Sequence, residues 1–163
     1  MNKKLWHPSN ILKKNSNLFK FENFLSDRFS RKFEGSYENI HRWTVNNPGD
    51  FWDSVWDFSK VKGNKSNKKI KKSKSFFKNI FLPNYKLNFC ENLLSKNTNE
   101  KAITFISENG FREIRNWKQL NKNVKSISYF LKKIHIKPKD RVAAYMPNTS
   151  ETVEAFLGTV SIG

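Results

Sequence analysis

Residues 102–117 read AITFISENGFREIRNW, in which two short β-rich runs are separated by the dipeptide Asn109-Gly110. Asn-Gly between such runs is the strongest short-range signal for a hairpin turn, because both residues tolerate a positive φ. We therefore predict two antiparallel strands, over residues 102–106 and 111–114.

The stretch that follows has the clearest helical pattern in the chain. We expect Asn116 to cap this helix and Pro138 to stop it. Apolar residues recur between them at every third or fourth position, namely Trp117, Leu120, Val124, Ile127, Leu131 and Ile134. Residues at that spacing share one side of a helix, which predicts a face buried against a core.

Residues 142–146, VAAYM, are continuously apolar. A strand buried on both faces of a parallel sheet has this composition, so we predict such a strand here. Pro147-Asn148 is expected to turn the chain, and Thr149 or Ser150 to cap a last helix. The apolar face of that helix is expected to consist of Val153, Phe156, Leu157 and Val160.

The order hairpin, helix, strand, helix is the opening of an α/β domain. A buried parallel strand needs neighbours on both of its edges, but no further strand-like run follows residue 146. We therefore expect the chain to be a truncated piece of a larger protein.

The N-terminal third predicts a different architecture, an all-helical region rich in aromatic residues. We expect Ser16 or Asn17 to cap a helix that Gly35 ends. A second helical piece is expected over residues 37–43, and Asp50 is expected to cap a third helix. The chain contains 15 Phe and 5 Trp, and we interpret the aromatic pattern as core packing rather than as a ligand site.

The formal net charge is +17, and no acidic residue occurs between Asp57 and Glu91. That segment contains Lys60, Lys62, Lys65, Lys68, Lys69, Lys71, Lys72, Lys74, Lys78 and Lys86. Residues 63–69 lack apolar periodicity and predict a solvated loop. A protein with this much positive charge attracts polyanions. However, specific phosphate recognition favours Arg over Lys. The lysines therefore have two open interpretations: a functional anion-binding site, or a bias in amino-acid composition that carries no function.

Several classes of protein and site are not expected. No apolar run predicts a transmembrane helix or a secretory signal. Cys90 is the only cysteine and has no histidine near it in sequence, so we interpret it as a small buried apolar residue rather than a nucleophile. His7, His41 and His135 lack metal-ligand spacing. Residues 158–163, GTVSIG, begin like a phosphate loop but lack its lysine and its preceding strand.

Blocks of the N-terminal half resemble a known family. LWHPS at residues 5–9, HRWTV at 41–45 and FWDSVWDF at 51–58 resemble the N-terminal helical cap of the acetoacetate–CoA ligases. LNFCENLL at residues 87–94 resembles the segment that leads into the adenylate-forming domain of that family. These blocks occur in a narrower group of proteins than the whole superfamily, and they favour acetoacetate over acetate as the substrate.

Later blocks resemble the wider acyl-adenylate superfamily. They are DRVAAYMPN at residues 140–148, AFL at 155–157 and SIG at 161–163. The chain departs from the family pattern at His135 and Lys139, where the family usually has glycines. A left-handed conformation at His135 would cost more than at glycine.

The resemblance implies an α/β fold in which a helical cap precedes the incomplete start of an acyl-CoA synthetase-like large N-terminal domain. We expect residues 1–63 to form the aromatic-rich helical cap and residues 64–86 a lysine-rich loop. Residues 87–163 are expected to be the truncated start of the AMP-binding α/β domain.

The chemistry implied by the resemblance is that of an acid–thiol ligase that uses ATP, CoA and Mg²⁺. Acetoacetate attacks the α-phosphate of ATP to give an acyl-adenylate and pyrophosphate, and the thiol of CoA then displaces AMP. The phosphate loop and catalytic lysine of the family would lie after these residues. We therefore assign no catalytic, cofactor-binding or metal residue and expect the fragment to be inactive. Asp140 and Arg141 are interpreted as turn-capping, salt-bridging residues.

The implied full-length enzyme acts on a small-molecule substrate in the cytoplasm, in lipid and ketone-body metabolism. We expect no membrane partner and no nucleic acid. Three alternatives are an acetyl- or propionyl-CoA synthetase fragment, a non-catalytic helical interaction domain, and a basic module whose lysine-rich segment holds RNA or an anionic surface.

Overall fold

The computed structural model describes residues 5–163 and divides into two compact units, residues 5–85 and 86–163. Each unit has its own cluster of buried apolar side chains. The division into a cap, a lysine-rich loop and an α/β start stays a prediction. Among the described residues, no helix is both long and apolar enough to cross a bilayer.

The first unit begins with four helices. They are α1 (Asn10–Asn15), α2 (Asn17–Phe29), α3 (Tyr37–Asn46) and α4 (Pro48–Phe58). The side chains of Ser9, Ser16 and Ser36 each accept a hydrogen bond from the backbone N–H three residues later, which starts α1, α2 and α3. Helices cover most of residues 10–58, as predicted, with a break at residues 30–36, and the predicted cap at Ser16 is confirmed.

Two predicted helix boundaries in this unit are wrong. Helix α2 ends at Phe29, and Ser30 rather than Gly35 follows it in the left-handed conformation, with φ of 50°. Asn47 rather than Asp50 precedes α4. The reason is that Pro48 suits the first turn of a helix, where its missing N–H is not needed.

Aromatic side chains build the core of the first unit, as the sequence predicted. The buried residues are Phe21, Leu25, Phe33, Ile40 and Trp43. The Trp43 ring lies between those of Phe29 and Phe33, at centroid distances of 5.0 and 5.7 Å. The two contacts are tilted and edge-to-face, the arrangements that the aromatic quadrupole favours.

The lysine-rich segment that ends this unit contains a small hairpin. Strand β1 (Ile70–Lys71) pairs antiparallel with β2 (Ile80–Phe81), and a 3-10 turn (Phe76–Lys78) lies between them. Leu82 N–H donates to the Lys69 carbonyl at 2.9 Å, which extends the pairing by one bond beyond the strands.

The second unit contains helices and a second hairpin. Its elements are α5 (Phe89–Leu93), β3 (Lys101–Ile106), β4 (Arg112–Asn116), α6 (Trp117–Lys133) and α7 (Ser150–Val160). Strands β3 and β4 are antiparallel, and Gly110 has a φ of 82° in the turn between them, which confirms the predicted hairpin. Asn116 caps α6 in a reciprocal capping box with Gln119, which confirms the predicted cap.

The core of the second unit lies between α5, α6 and α7. Cys90, Leu120, Val124 and Leu157 are buried there. Helices α6 and α7 approach closely because Gly158 has no side chain: a Cβ at this position would lie 2.6 Å from Ile127 Cγ2. The face predicted for α7 is therefore wrong in part, since Leu157 is buried but Phe156 is 56% exposed.

The predicted strand over residues 142–146 is wrong for this structure. The segment belongs to no strand, and Val142, Tyr145 and Met146 are exposed. A strand needs ladder partners for its N–H and C=O groups. In this unit β3 and β4 pair with each other, and neither strand pairs with residues 142–146.

Candidate functional site

Two aspartates of α4 form the centre of an ionic cluster in the first unit. Asp53 is 3% exposed. Its carboxylate accepts hydrogen bonds from Lys65 Nζ and Tyr85 Oη, both at 2.8 Å, and from the Arg28 guanidinium of α2. Asp57 pairs with the same Arg28 and Lys65. The cluster therefore joins α2 and α4 to the lysine-rich segment.

The surroundings of these aspartates favour their ionised forms. Burial alone would raise the pKa of Asp53, but hydrogen bonds from Lys65 and Tyr85 and the charge of Arg28 outweigh it, so the pKa is lowered. Burial alone would lower the pKa of Lys65, but the aspartates raise it. A carboxylate that stays ionised and accepts three hydrogen bonds is a poor proton carrier at neutral pH. The cluster is therefore suited to holding elements together rather than to catalysis.

A second lysine also ties the lysine-rich segment to α4. Lys69 Nζ lies 2.7 Å from Asp50 Oδ1. The solvated loop predicted over residues 63–69 is thus wrong in part, because Lys65 and Lys69 are held by ion pairs. The sequence signal for this anchoring was the spacing of three and four residues between Asp50, Asp53 and Asp57, which puts three carboxylates on one helix face.

Arg115 gathers the acidic residues of the second unit, an arrangement that the sequence analysis did not find. Its guanidinium pairs with Glu113 of β4 and with Glu151 and Glu154 of α7, at 2.8 Å and 3.2 Å for the last two. Asn123 Nδ2 of α6 donates to Glu154 Oε1 at 2.8 Å. The bonds that reach α7 join residues 31 to 39 apart in sequence, so their convergence depends on the packing of α7.

The reactive residue types singled out from the sequence are not brought together. Cys90 is 3% exposed, and burial raises the pKa of its thiol, which confirms its interpretation as a buried apolar residue. Asp140 Oδ2 accepts a hydrogen bond from Lys137 N–H at 2.7 Å, which is the predicted turn cap. In residues 5–163, no three His, Cys, Asp or Glu side chains are grouped so as to hold a metal ion.

The sequence GTVSIG, residues 158–163, lies at the end of α7 and directly after it. Gly158 and Val160 lie within the helix, and Ser161 N–H donates to the Leu157 carbonyl at 3.0 Å. A phosphate loop needs a strand before it and free backbone N–H groups that converge on the anion. The helical conformation of residues 158–160 is not that of a phosphate loop, and the absence of a phosphate site here stays a prediction.

An open apolar groove of about 470 Å³ lies between α2, α3 and α4. Its lining includes Phe21, Ile40 and Phe51. Its titratable lining groups are His41 and Tyr37, whose rings stack with centroids 6.0 Å apart. The lining contains no carboxylate and no lysine, so the groove is mainly an apolar binding space.

Comparison with known proteins finds similarity along both units. Residues 92–163 match the family described as AMP-binding enzyme. Acetoacetyl-coenzyme A synthetase from Rhizobium meliloti (strain 1021) is 34% identical over 159 residues, which are 98% of this chain and 24% of that protein. Malonamoyl-CoA synthetase from Penicillium aethiopicum is 29% identical over 136 residues, 78% of this chain and 19% of that protein.

A solved structure supports the fold. Acetoacetyl-CoA synthetase from Streptomyces lividans matches with a TM-score of 0.87 and 24% identity, covering 99% of this chain and 26% of that one. The predicted α/β class, with helices preceding the start of a larger domain, is confirmed by this match. The chain spans about a quarter of the length of the curated relatives that it matches. Residues 92–163 thus resemble the AMP-binding enzymes, and nearly the whole chain is similar to the N-terminal quarter or so of acetoacetyl-CoA synthetases.

Proposed function

We propose that this chain is the N-terminal part of an ATP-dependent acetoacetate–CoA ligase. The whole protein would convert acetoacetate, ATP and CoA into acetoacetyl-CoA, AMP and pyrophosphate through an acyl-adenylate. The observation that carries this proposal is the 34% identity to an acetoacetyl-coenzyme A synthetase over 98% of this chain. Because that match spans 24% of the relative, the activity is assigned to the whole protein.

The described residues do not fit a site for ATP phosphates or for Mg²⁺. The carboxylates of Asp53 and Asp57 are already neutralised by Arg28 and Lys65, so they do not offer the free oxygen ligands that Mg²⁺ requires. The glycines at residues 158 and 163 bracket the end of a helix and not a phosphate loop. We assign no catalytic, cofactor-binding or metal residue to this chain, and propose that those residues lie elsewhere in the protein.

The names of two relatives suggest a substrate class. Acetoacetate and malonamate both carry a carbonyl group on the carbon two removed from the carboxylate, and acetate and propionate do not. We propose that the whole enzyme prefers short acids with this 3-carbonyl group. The alternative of an acetyl- or propionyl-CoA synthetase predicts the opposite preference.

Substrate preference can be measured by ATP–pyrophosphate exchange with the whole protein. We expect exchange with acetoacetate, weaker exchange with malonamate, and the least with acetate and propionate. A pocket whose groups donate a hydrogen bond to the 3-carbonyl oxygen loses that bond when acetate binds. Such a loss typically lowers kcat/KM by about tenfold or more. Higher activity with acetate would overturn the acetoacetate assignment.

The role proposed for this chain is structural. The 163-residue chain alone is expected to show no ATP–pyrophosphate exchange with acetoacetate, because its described residues contain no site that fits the nucleotide. The whole protein in the same assay is the positive control. Turnover by the isolated chain would contradict the proposal.

We propose a cytoplasmic location for the whole enzyme. The single cysteine is a buried free thiol, so the chain needs no oxidising compartment. Cell fractionation tests this: recovery of the whole protein in an extracytoplasmic fraction would contradict it.

A further inference from the structure

The hairpin formed by residues 70–81, here called the lysine hairpin, is held firmly at its base. Lys69, directly before β1, is paired with Asp50 of α4 at 2.7 Å. The Phe81 ring of β2 lies 6.2 Å from that of Trp52, also on α4. Two independent contacts with α4 therefore fix the direction in which the tip of the lysine hairpin points.

The loop that forms the tip is itself ordered. Ser73 N–H donates to Asn79 Oδ1 at 2.8 Å across the neck of the loop. Backbone bonds from Lys78 N–H to Ser75 and from Asn79 N–H to Phe76 close the 3-10 turn at the tip, at 3.0 Å each. This turn presents Phe76 and Phe77 outward.

The two phenylalanines are a large apolar surface with no cover in the described chain. Phe76 is 72% exposed and Phe77 is 94% exposed. Their rings contact each other edge-to-face, with centroids 5.9 Å apart and planes at 80°. Adjacent exposed aromatic side chains on an ordered turn are costly in water and mark an interaction surface.

Positive charge surrounds this apolar tip. Lys71, Lys72, Lys74 and Lys78 are all exposed, and the described ion pairs include none of them. The sequence has no acidic residue from 58 to 90 to neutralise them. Unlike Lys65 and Lys69, these four lysines have their charge available for an external partner.

We propose that the lysine hairpin docks the protein on an anionic lipid surface. Phe76 and Phe77 enter the boundary between headgroups and acyl chains, and the four exposed lysines pair with the negative headgroups around them. The exposed phenylalanines suit the apolar layer of such a surface, and the lysines around them suit its charged layer.

Two observations favour a lipid surface over single-stranded nucleic acid. Residues 70–81 contain no arginine, the residue best suited to phosphate forks and base stacking. The edge-to-face ring pair also offers no parallel stack for successive bases to continue. The expectation of no membrane partner rested on the lack of a spanning segment, and peripheral binding needs none.

Vesicle co-sedimentation of the 163-residue chain tests the proposal, with unchanged circular dichroism required of every variant. We expect binding to vesicles of phosphatidylcholine and phosphatidylserine at a ratio of three to one, and none to phosphatidylcholine alone. Binding should weaken with added salt because the lysine contribution is screened. A single-stranded oligouridine filter-binding assay serves as the comparison.

Two variants separate the charged and apolar contributions. Replacing Lys72 and Lys74 by Ser should lower vesicle binding by about 30-fold, from the usual contribution of each juxtamembrane lysine. Phe77→Ser should lower binding by about tenfold, from the loss of a buried aromatic ring. The matched control is Tyr129→Ser on α6, whose side chain is as exposed as that of Phe76, at 72%. This control should bind like the unchanged chain.

Each contrary result overturns the proposal. Equal binding to uncharged vesicles, or no binding to anionic ones, removes the lipid surface as the partner. If Phe77→Ser binds anionic vesicles normally, the association is general electrostatics and the docking tip is wrong. If the chain binds oligouridine more tightly than vesicles and Phe77→Ser abolishes this, the hairpin is a nucleic-acid site instead.

Discussion

Ser150 and Ser54 are both fully buried, but only one of their hydroxyls has a partner. Ser54 Oγ donates to the Asp50 carbonyl at 2.6 Å, whereas Ser150 Oγ, at the start of α7, has no hydrogen-bond partner. An unpaired buried hydroxyl costs about 1 kcal/mol or more. We therefore expect Ser150→Ala to raise the free energy of unfolding by about 1 kcal/mol and Ser54→Ala to lower it by a similar amount, measured by urea denaturation. Equal losses in both variants would contradict this.

His135 and Lys139 adopt a backbone conformation that favours glycine. The sequence predicted this at His135 from the glycines that the resembled family has at these positions. Their φ values are 67° and 76°, in the left-handed region. At His135 the conformation closes α6, because Ile136 N–H donates to the Leu131 carbonyl at 3.0 Å.

Glycine at either position should therefore stabilise the chain. Both side chains are exposed, so little packing is lost when they are removed. We expect His135→Gly and Lys139→Gly each to raise the free energy of unfolding by up to about 1 kcal/mol, since the left-handed penalty exceeds the entropic cost of glycine. Lys125→Gly, within α6, is the control and should lower it by about 1 kcal/mol. Destabilisation in all three variants would contradict the strain argument.

The buried aspartate of α4 should give the stability of the first unit a pH dependence. Folding lowers the pKa of Asp53 below its ordinary value of 3.8, so its contribution is complete above that pH and is lost as the pH falls through the lower, folded value. We expect Asp53→Asn to cost about 3 kcal/mol at neutral pH, because Arg28 and Lys65 lose a buried partner. The cost, measured by denaturation at several pH values, should shrink below the ordinary pKa.

A neighbouring aspartate provides the control for that experiment. Asp50 and its partner Lys69 are each 39% exposed, so their ion pair is screened by water. Asp50→Asn should cost less than about 1 kcal/mol. A loss from Asp50→Asn as large as that from Asp53→Asn would show that burial does not set the strength of the cluster.

At the scale of elements, local signals predicted helix starts better than helix ends. Asn116 caps α6 as expected, and Asn88 caps α5 in the same way, because a cap bonds N–H groups only three residues away. Gly35 was expected to end α2, but Ser30 takes the left-handed conformation five residues earlier. The end of a helix depends on where its buried face stops, and the sequence does not encode that locally.

Helix α7 shows a second limit of pattern reasoning. Its sequence is apolar on more than one side, so periodicity could not identify the packed face. The packed face is set by Gly158, which lets α6 approach, and by Glu154, which reaches Arg115 at 3.2 Å. Both contacts depend on the partner elements and are invisible in the helix alone.

The close approach at Gly158 predicts the sign of a substitution. In an open helix, Gly→Ala gains about 1 kcal/mol. Here the new Cβ would lie 2.6 Å from Ile127 Cγ2, so we expect Gly158→Ala to lower the free energy of unfolding by about 1–3 kcal/mol. In an Ile127→Ala background the loss should be smaller but not absent, because Cγ2 is gone while Cβ, 2.8 Å from the added atom, remains. A stabilised Gly158→Ala variant would show that the two helices are free to separate.

At the scale of the whole molecule, the sequence predicted the family and the fold class but not the ionic clusters. The resemblance depended on blocks of contiguous residues, which are readable without a structure. The Asp53 and Arg115 clusters join residues that are distant in sequence. The ion pair of Lys65 with Asp53 was not predicted because the segment around Lys65 resembles a solvated loop. The absence of assigned catalytic residues stays a proposal.

Residues 142–146 provide the sharpest test at this scale. In this chain they are exposed and unpaired, whereas β3 is paired with β4 through five registered residue pairs. We expect the amides of 142–146 to exchange hydrogen at rates near those of an unfolded peptide, and those of Ile103 and Phe105 to be protected. In the whole protein proposed above, strands on both sides would pair with 142–146, and their protection should rise to that of β3. Rapid exchange at 142–146 in the whole protein, measured by mass spectrometry of proteolytic fragments, would show that the apolar run is not an interior strand in either state.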